Sequence, residues 1–115
     1  QGHVNNAVFS SFLETGRAEI LYDPRKDLCG ENRCFVIAGI KLDFLGEITW
    51  PGIVRIGTML TRIGNSSIDI RQGLFQEGRC VAAAETVIVQ IDATTRKSAP
   101  LSRGAVEELS KYLGR

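Results

Sequence analysis

Apolar positions along the chain follow two different rhythms, and each predicts a different kind of element. From Asn5 to Tyr22, the residues Phe9, Phe12, Leu13 and Ile20 fall on one face at helical spacing, with Gly16 among them. The pattern predicts a helix of about five turns. Asn5 or Asn6 caps its start by accepting a hydrogen bond from an unpaired amide. Asp23-Pro24 ends it, because the proline ring opposes a helical residue before it. Ala7, Val8, Ala18 and Leu21 widen the apolar stripe, which predicts a helix covered over most of its surface, with Ser10, Glu14 and Arg17 as its polar stripe. Gly16 costs such a helix up to about 1 kcal/mol relative to alanine, and a sheet that must approach closely accounts for it.

After a polar loop at Lys26 to Arg33 the rhythm changes to that of strands. Four runs are expected: Phe35 to Leu45, Val54 to Ile63, Ser67 to Gln76 and Arg79 to Ile91. Ile68 and Ile70 alternate with Asp69 and Arg71, the mark of a half-buried strand. The separators Trp50-Pro51-Gly52, Gly64-Asn65-Ser66 and Glu77-Gly78 are turn chemistry, and they predict a meander of antiparallel neighbours. Thr94 to Ala99 is a polar, basic break, and residues 102–113 read as a terminal amphipathic helix with Val106, Leu109 and Leu113 on one side. Helix, four strands, helix is an α+β order, in which a curved antiparallel sheet wraps a long central helix. One domain over residues 1–115 is expected, since single cores typically occupy about 100 to 150 residues.

Composition narrows the function. Hydrophobic residues at 43% and charged residues at 23% supply an ordinary core. Fourteen Lys plus Arg against thirteen Asp plus Glu leave a formal charge of +1, too little to hold a nucleic-acid backbone. The most apolar stretches are interrupted by Lys41, Asp43, Arg55 and Arg62, so no membrane span is expected. Three cysteines, Cys29, Cys34 and Cys80, leave one thiol over, which suits the reducing cytoplasm. With His3 as the one histidine, no metal site is expected. The chain opens on Gln1 with a helix signal within six residues, so its natural start is expected upstream.

Gly2-His3-Val4-Asn5-Asn6-Ala7-Val8-Phe9, followed by Phe12-Leu13-Glu14-Thr15-Gly16-Arg17, closely resembles the signature of the hot-dog-fold thioesterases, and within them the 4-hydroxybenzoyl-CoA and acyl-CoA thioesterase branch. The resemblance continues through Phe44-Leu45-Gly46, Trp50-Pro51-Gly52, Arg62 to Ser67 and Ala84-Glu85-Thr86, about the first 100 residues. It implies a hydrolase for an acyl-CoA or acyl-carrier-protein thioester, with no cofactor beyond the coenzyme A of the substrate. It also implies a homodimer or homotetramer whose active sites form between subunits. The family's usual catalytic Asp, and the strand leading into it, fall upstream of Gln1.

Thioester hydrolysis needs an electrophilic carbonyl and an activated water. The unpaired amides at a helix start meet the first need, and the resemblance assigns that role to the backbone of Asn6. Read from the residues alone, the asparagines are caps. His3 orients water or lines the pocket, or is a structural hydrogen-bonding group. Glu14 is the runner-up acid; read alone, it is a surface partner of Arg17 at i, i+3. Val4 and Phe9 are expected at the pocket edge. Thr58, Met59, Leu60 and Thr61 are expected to face a partner's helix start. Phe12 is expected in the core, while Met59 and Trp50 are further candidates for an acyl tunnel. For the phosphates of coenzyme A the resemblance points to Arg62 and the Asn65-Ser66-Ser67 turn, and to Arg96 and Lys97. The rival reading is a non-catalytic hot-dog module that binds an acyl thioester or only oligomerises.

Overall fold

The structure, a computed structural model, describes residues 6–22, 28–49 and 51–114. Helix α1 spans Asn6–Leu21, followed by strands β1 (Arg33–Phe44), β2 (Arg55–Ile63), β3 (Ser67–Gln76) and β4 (Arg79–Asp92), and then helix α2 (Arg103–Ser110). The four strands form one antiparallel sheet in the order β1-β4-β3-β2. Each predicted element is present, and the strand ends fall within a residue or two of those expected.

One expectation is corrected. Strands β2, β3 and β4 do follow one another as a meander, but β1 pairs with β4 rather than with its sequence neighbour. The physical reason lies in residues 45–54, which are too many for a tight hairpin and instead cross the end of the sheet. Their path is pinned on the way. The amides of Leu45 and Gly46 both donate to the Val81 carbonyl, at 3.0 and 3.1 Å. Gln76 then brackets Thr49, accepting from its amide and donating to its carbonyl, each at 3.0 Å.

Alternation sets the two faces of the sheet. In β3, Ile68, Ile70, Gln72, Leu74 and Gln76 point toward the helices and are buried, while Arg71 and Phe75 point away and are exposed. Helix α1 is 16 residues long and lies on the inner face, over β2 and β3. Among its described side chains Leu13, Ile20 and Leu21 face the sheet and are buried, whereas Ser10, Ser11, Glu14, Thr15 and Glu19 are exposed. Of the residues expected to widen the stripe, Leu21 is buried and Ala18 half-buried, while the side chains of Ala7 and Val8 lie outside the described residues.

Two clusters make the core. Phe9 and Leu13 join Ile48, Leu74, Val81, Ala82 and Ala84 at one end of the sheet. At the other end Ile20 and Leu21 join Leu60, Ile68, Ile70, Ile88 and, from α2, Ala105 and Leu109. Ser102 caps α2, its hydroxyl accepting from the Ala105 amide at 3.0 Å. The predicted helix to residue 113 stops at Ser110 because the chain tightens into i to i−3 bonds and then runs beside β2. There the Leu60 amide donates to the Tyr112 carbonyl and the Gly114 amide donates to the Leu60 carbonyl, both at 2.8 Å.

Gly16 is the closest approach between helix and sheet. A Cβ there would lie 2.6 Å from Thr58 Oγ1, 2.7 Å from Ile56 Cγ2 and 2.8 Å from Gln72 Nε2. At Gly104, in α2, a Cβ would meet nothing within 4 Å. Opposite results follow for the same substitution, read by urea denaturation. Gly16→Ala is expected to destabilise by about 1 to 3 kcal/mol in spite of its better helix propensity. Gly104→Ala is expected to stabilise by up to about 1 kcal/mol.

Candidate active site

The start of α1 offers the first amides of a helix with no partner inside it, and no acidic residue occupies the first turn. Partial positive charge therefore gathers at Asn6, where a carbonyl oxygen or an anion is stabilised. What holds that terminus in place is a contact halfway along the helix. Gln72, 2% exposed, donates from Nε2 to the Leu13 carbonyl at 2.8 Å and to Thr58 Oγ1 at 3.1 Å. Its Oε1 accepts from Arg17 Nη1 at 3.3 Å. One buried amide thus ties helix, β2 and β3 together directly beneath Gly16.

The sequence places Arg17 on the polar stripe, and the structure corrects this: it is 8% exposed. Its guanidinium turns under the helix to reach Gln72. Burial lowers its pKa from the usual arginine value, and the nearby Glu14 charge works in the opposite direction. Glu14 itself is exposed and borders a hollow of about 230 Å3 with Arg17, Tyr22, Phe35 and Ile37. It stands eight residues from Asn6, about 12 Å along the helix axis.

The predicted site residues divide by face and by end of the sheet. His3, Val4 and Trp50 lie outside the described residues, and of Asn6 the structure describes the backbone at the helix start. Phe9 is core, 3% exposed, with Phe12 packed at the edge of the same cluster. Thr58 faces the helix and is engaged by Gln72. Leu60 is fully buried. Met59 points to the opposite face, beside a hollow of about 460 Å3 that also takes in Gly57, Gly73 and Phe75. Thr61 is the extra residue of a bulge in β2, and its hydroxyl donates to the Asp69 carbonyl at 3.4 Å.

The two segments expected to meet phosphates come together. The Gly64 amide donates to the Ser67 carbonyl at 2.7 Å, closing the turn that carries Asn65 and Ser66. Amides of Gln90 and Leu101 donate to the carbonyls of Ser66 and Asn65, at 2.8 and 2.9 Å, so the turn sits against the segment after β4. Asp92 organises that segment. Its Oδ1 accepts from the Thr94 and Thr95 amides, both at 2.9 Å, and its own amide donates to the Lys97 carbonyl at 2.8 Å. Arg96, in the left-handed conformation at φ 64°, and Lys97 are exposed on the loop so formed, and Arg62 is exposed beside the Gly64 turn.

This basic end is the far end from Asn6. Phe9 packs with Leu74 and Ala82, whereas Ile20 and Leu21 pack with Ile68 and Ile88, next to the turn. Within one chain the helix start and the phosphate-binding candidates are thus separated by most of the length of α1, about 24 Å. Strand β1, twelve residues long, has β4 on one side and no described strand on the other. Its helix-side residues Ile37, Ile40 and Phe44 are about half exposed, because α1 lies over β2 and β3.

Two residues of consequence are absent from the predicted site: Gln72 and Phe44. Gln72 has a legible signal, since it interrupts the buried series Ile68, Ile70, Leu74 at a position where an apolar residue belongs. Phe44 lies in the Phe44-Leu45-Gly46 stretch that carries the family resemblance, which gives it no role in the site.

The amide bonds from Thr95 and Thr94 hold the Asp92 carboxyl below its ordinary value of 3.8. Its contribution to the loop is accordingly whole above that value and is lost as the pH falls through the lowered one. Asp92→Ala is expected to speed amide exchange at Thr94 and Thr95 by about tenfold at neutral pH, one hydrogen bond's worth, and to remove the acid dependence of that exchange. Unaltered exchange would contradict the role given to this carboxylate.

Comparison with known proteins bears on the family and the fold. The family model described as the thioesterase superfamily matches residues 1–83. No curated protein matches. Among solved structures, a thioesterase from Thermus thermophilus complexed with coenzyme A and zinc is 31% identical, with a TM-score of 0.81 over 99% of this chain and 84% of that one. A predicted thioesterase from Bacillus stearothermophilus is 26% identical, with a TM-score of 0.87 over 99% and 86%. A probable thioesterase from Escherichia coli, YbaW, is 27% identical, with a TM-score of 0.82 over 98% and 88%. Among the described residues of this chain no group of three or more metal-ligating side chains is found, and none of its described helices is long and apolar enough to cross a membrane. The match over residues 1–83, with the four-stranded antiparallel sheet and its two helices, makes this chain a member of the hot-dog-fold thioesterase superfamily.

Proposed function

We propose that the protein hydrolyses an acyl-CoA thioester, or an acyl-carrier-protein thioester, to free acid and thiol. The observation that carries this reading is the start of α1, whose first amides have no partner within the helix, on a helix fixed against the sheet by the Gly16 and Gln72 contacts. A thioester oxygen bound at the Asn6 N–H gains negative charge as the tetrahedral intermediate forms, and a fixed donor stabilises that charge without reorganising. Water attacks the carbonyl carbon, activated by the carboxylate that the family resemblance assigns upstream of Gln1. The electron pair of the breaking C–S bond leaves on sulfur, which is protonated to the thiol.

The substrate spans two chains in this reading. Pairing β1 with the same strand of a second copy in antiparallel register reverses the partner's ends. The partner's basic turn and loop are thereby brought to the side of the first chain's helix start. In each copy Arg62, Arg96 and Lys97 then supply charge to the phosphates of coenzyme A, and the Asn65, Ser66 and Ser67 side chains supply hydrogen bonds. The same pairing gives the half-exposed Ile37 and Ile40 a cover and places α1 as the central helix of a larger sheet. A dimer, or a tetramer built from dimers, follows from this, with the whole chain forming one hot-dog domain, and the free thiols of Cys29, Cys34 and Cys80 suit the cytoplasm.

Asn6→Pro tests the chemistry. Proline is favoured at the first helical position, so the substitution removes the amide hydrogen while the helix start is kept. Thiol release from acyl-CoA is expected to fall by about 100- to 1000-fold, with the thermal midpoint little changed. Turnover within about threefold of the natural chain would remove the amide from the mechanism. Glu14→Gln, in contrast, is expected to retain turnover; a comparable loss there would make Glu14 the acid.

A further inference from the structure

We propose that Phe44 is the gauge of acyl length, and that the acyl group it admits is short, about four carbons, or a single ring. The inference rests on the hydrolase reading above and names the substrate class within it. Phe44 ends β1 opposite Ala82, and its ring meets Phe9 edge to face, with centroids 5.0 Å apart and planes at 82°. Phe9 is 3% exposed and committed to the core, so its partner ring is held on one side. The other side is open: Phe44 is 47% exposed. Its backbone has little freedom, because the next two amides both donate to the Val81 carbonyl.

Distance along the helix makes this ring the first obstacle. Phe9 lies three residues after Asn6, about 4.5 Å of helical rise. An acyl chain whose carbonyl sits on the Asn6 amide and which follows the sheet side of α1 therefore meets the Phe9–Phe44 pair within its first few carbons. Beyond Phe44 the inner face of β1 continues as Leu42, Ile40 and Ile37, an apolar path that α1 leaves partly uncovered and that a second copy paired along β1 would roof. Phe44 stands at the mouth of that path. Truncating the ring connects the two, and each methylene then buried adds about fourfold in favour of a longer chain.

The test is kcat/KM across straight-chain acyl-CoAs from about two to sixteen carbons and benzoyl-CoA, for the full chain and for Phe44→Ala and Phe44→Trp, with melting curves for each. The natural chain is expected to favour short and aromatic acyl groups. Phe44→Ala is expected to raise the ratio of ten-carbon to four-carbon kcat/KM by about tenfold or more, and Phe44→Trp to lower it. Ratios within about twofold of the natural one in both folded variants would overturn the gauge and leave the hydrolase reading standing. A natural chain that releases no thiol from any acyl-CoA would overturn the hydrolase reading, and the gauge with it.

Discussion

The close contact of α1 with the sheet at Gly16 governs the rest of the structure. With Thr58, Ile56 and Gln72 already where a side chain would begin, the helix sits as near the sheet as its backbone allows. Gln72 adds direction to proximity, because its amide bonds to the Leu13 carbonyl and to Thr58 fix the helix along its axis as well. Glycine costs the helix up to about 1 kcal/mol in propensity. The return is a helix start whose amides are presented at a constant place. Such preorganisation is what an oxyanion needs, since donors that must first be arranged stabilise a transition state less.

The same clamp sets a geometric problem that one chain does not solve. Because α1 lies along the sheet, Asn6 lies at the Leu74 end, and the basic turn and loop lie at the Ile68 end. A thioester bound at one and held by its phosphates at the other needs the two ends brought side by side. In the proposed dimer, reversal of a second copy across the β1 edge that no described strand occupies would do this, and it would cover apolar residues that α1 leaves half exposed. Edge strands of this length with exposed apolar side chains are otherwise a liability.

Much of the fold is written in periodicity. The change from helical spacing before Tyr22 to alternation after Arg33 marks every element, and Gly16 announces the close approach of a sheet. Strand order is less legible, because residues 45–54 look like turn chemistry whether they close a hairpin or cross the sheet. It is Gln76, far along the chain at the end of β3, that decides their path by bracketing Thr49. The burial of Arg17 is hidden for a similar reason: a charged residue on a helix reads as solvated until a buried amide such as Gln72 is found beneath it. Within the candidate site, the Asn65 turn and the Arg96 loop are each legible in sequence, but their adjacency depends on amides of Gln90 and Leu101, which carry no side-chain signal.

A mixed-chain experiment tests most directly whether one active site is completed by two chains. One variant carries Asn6→Pro, which disables the helix start; the other carries Arg62→Ala with Arg96→Ala, which weakens the phosphate end. If each site takes its helix start from one chain and its basic residues from the other, co-refolding equal amounts restores one intact site in each mixed dimer. Since about half of randomly formed dimers are mixed, activity returns to about one quarter of the natural level. Activity no higher than the average of the two variants alone would contradict the account and confine each site to a single chain.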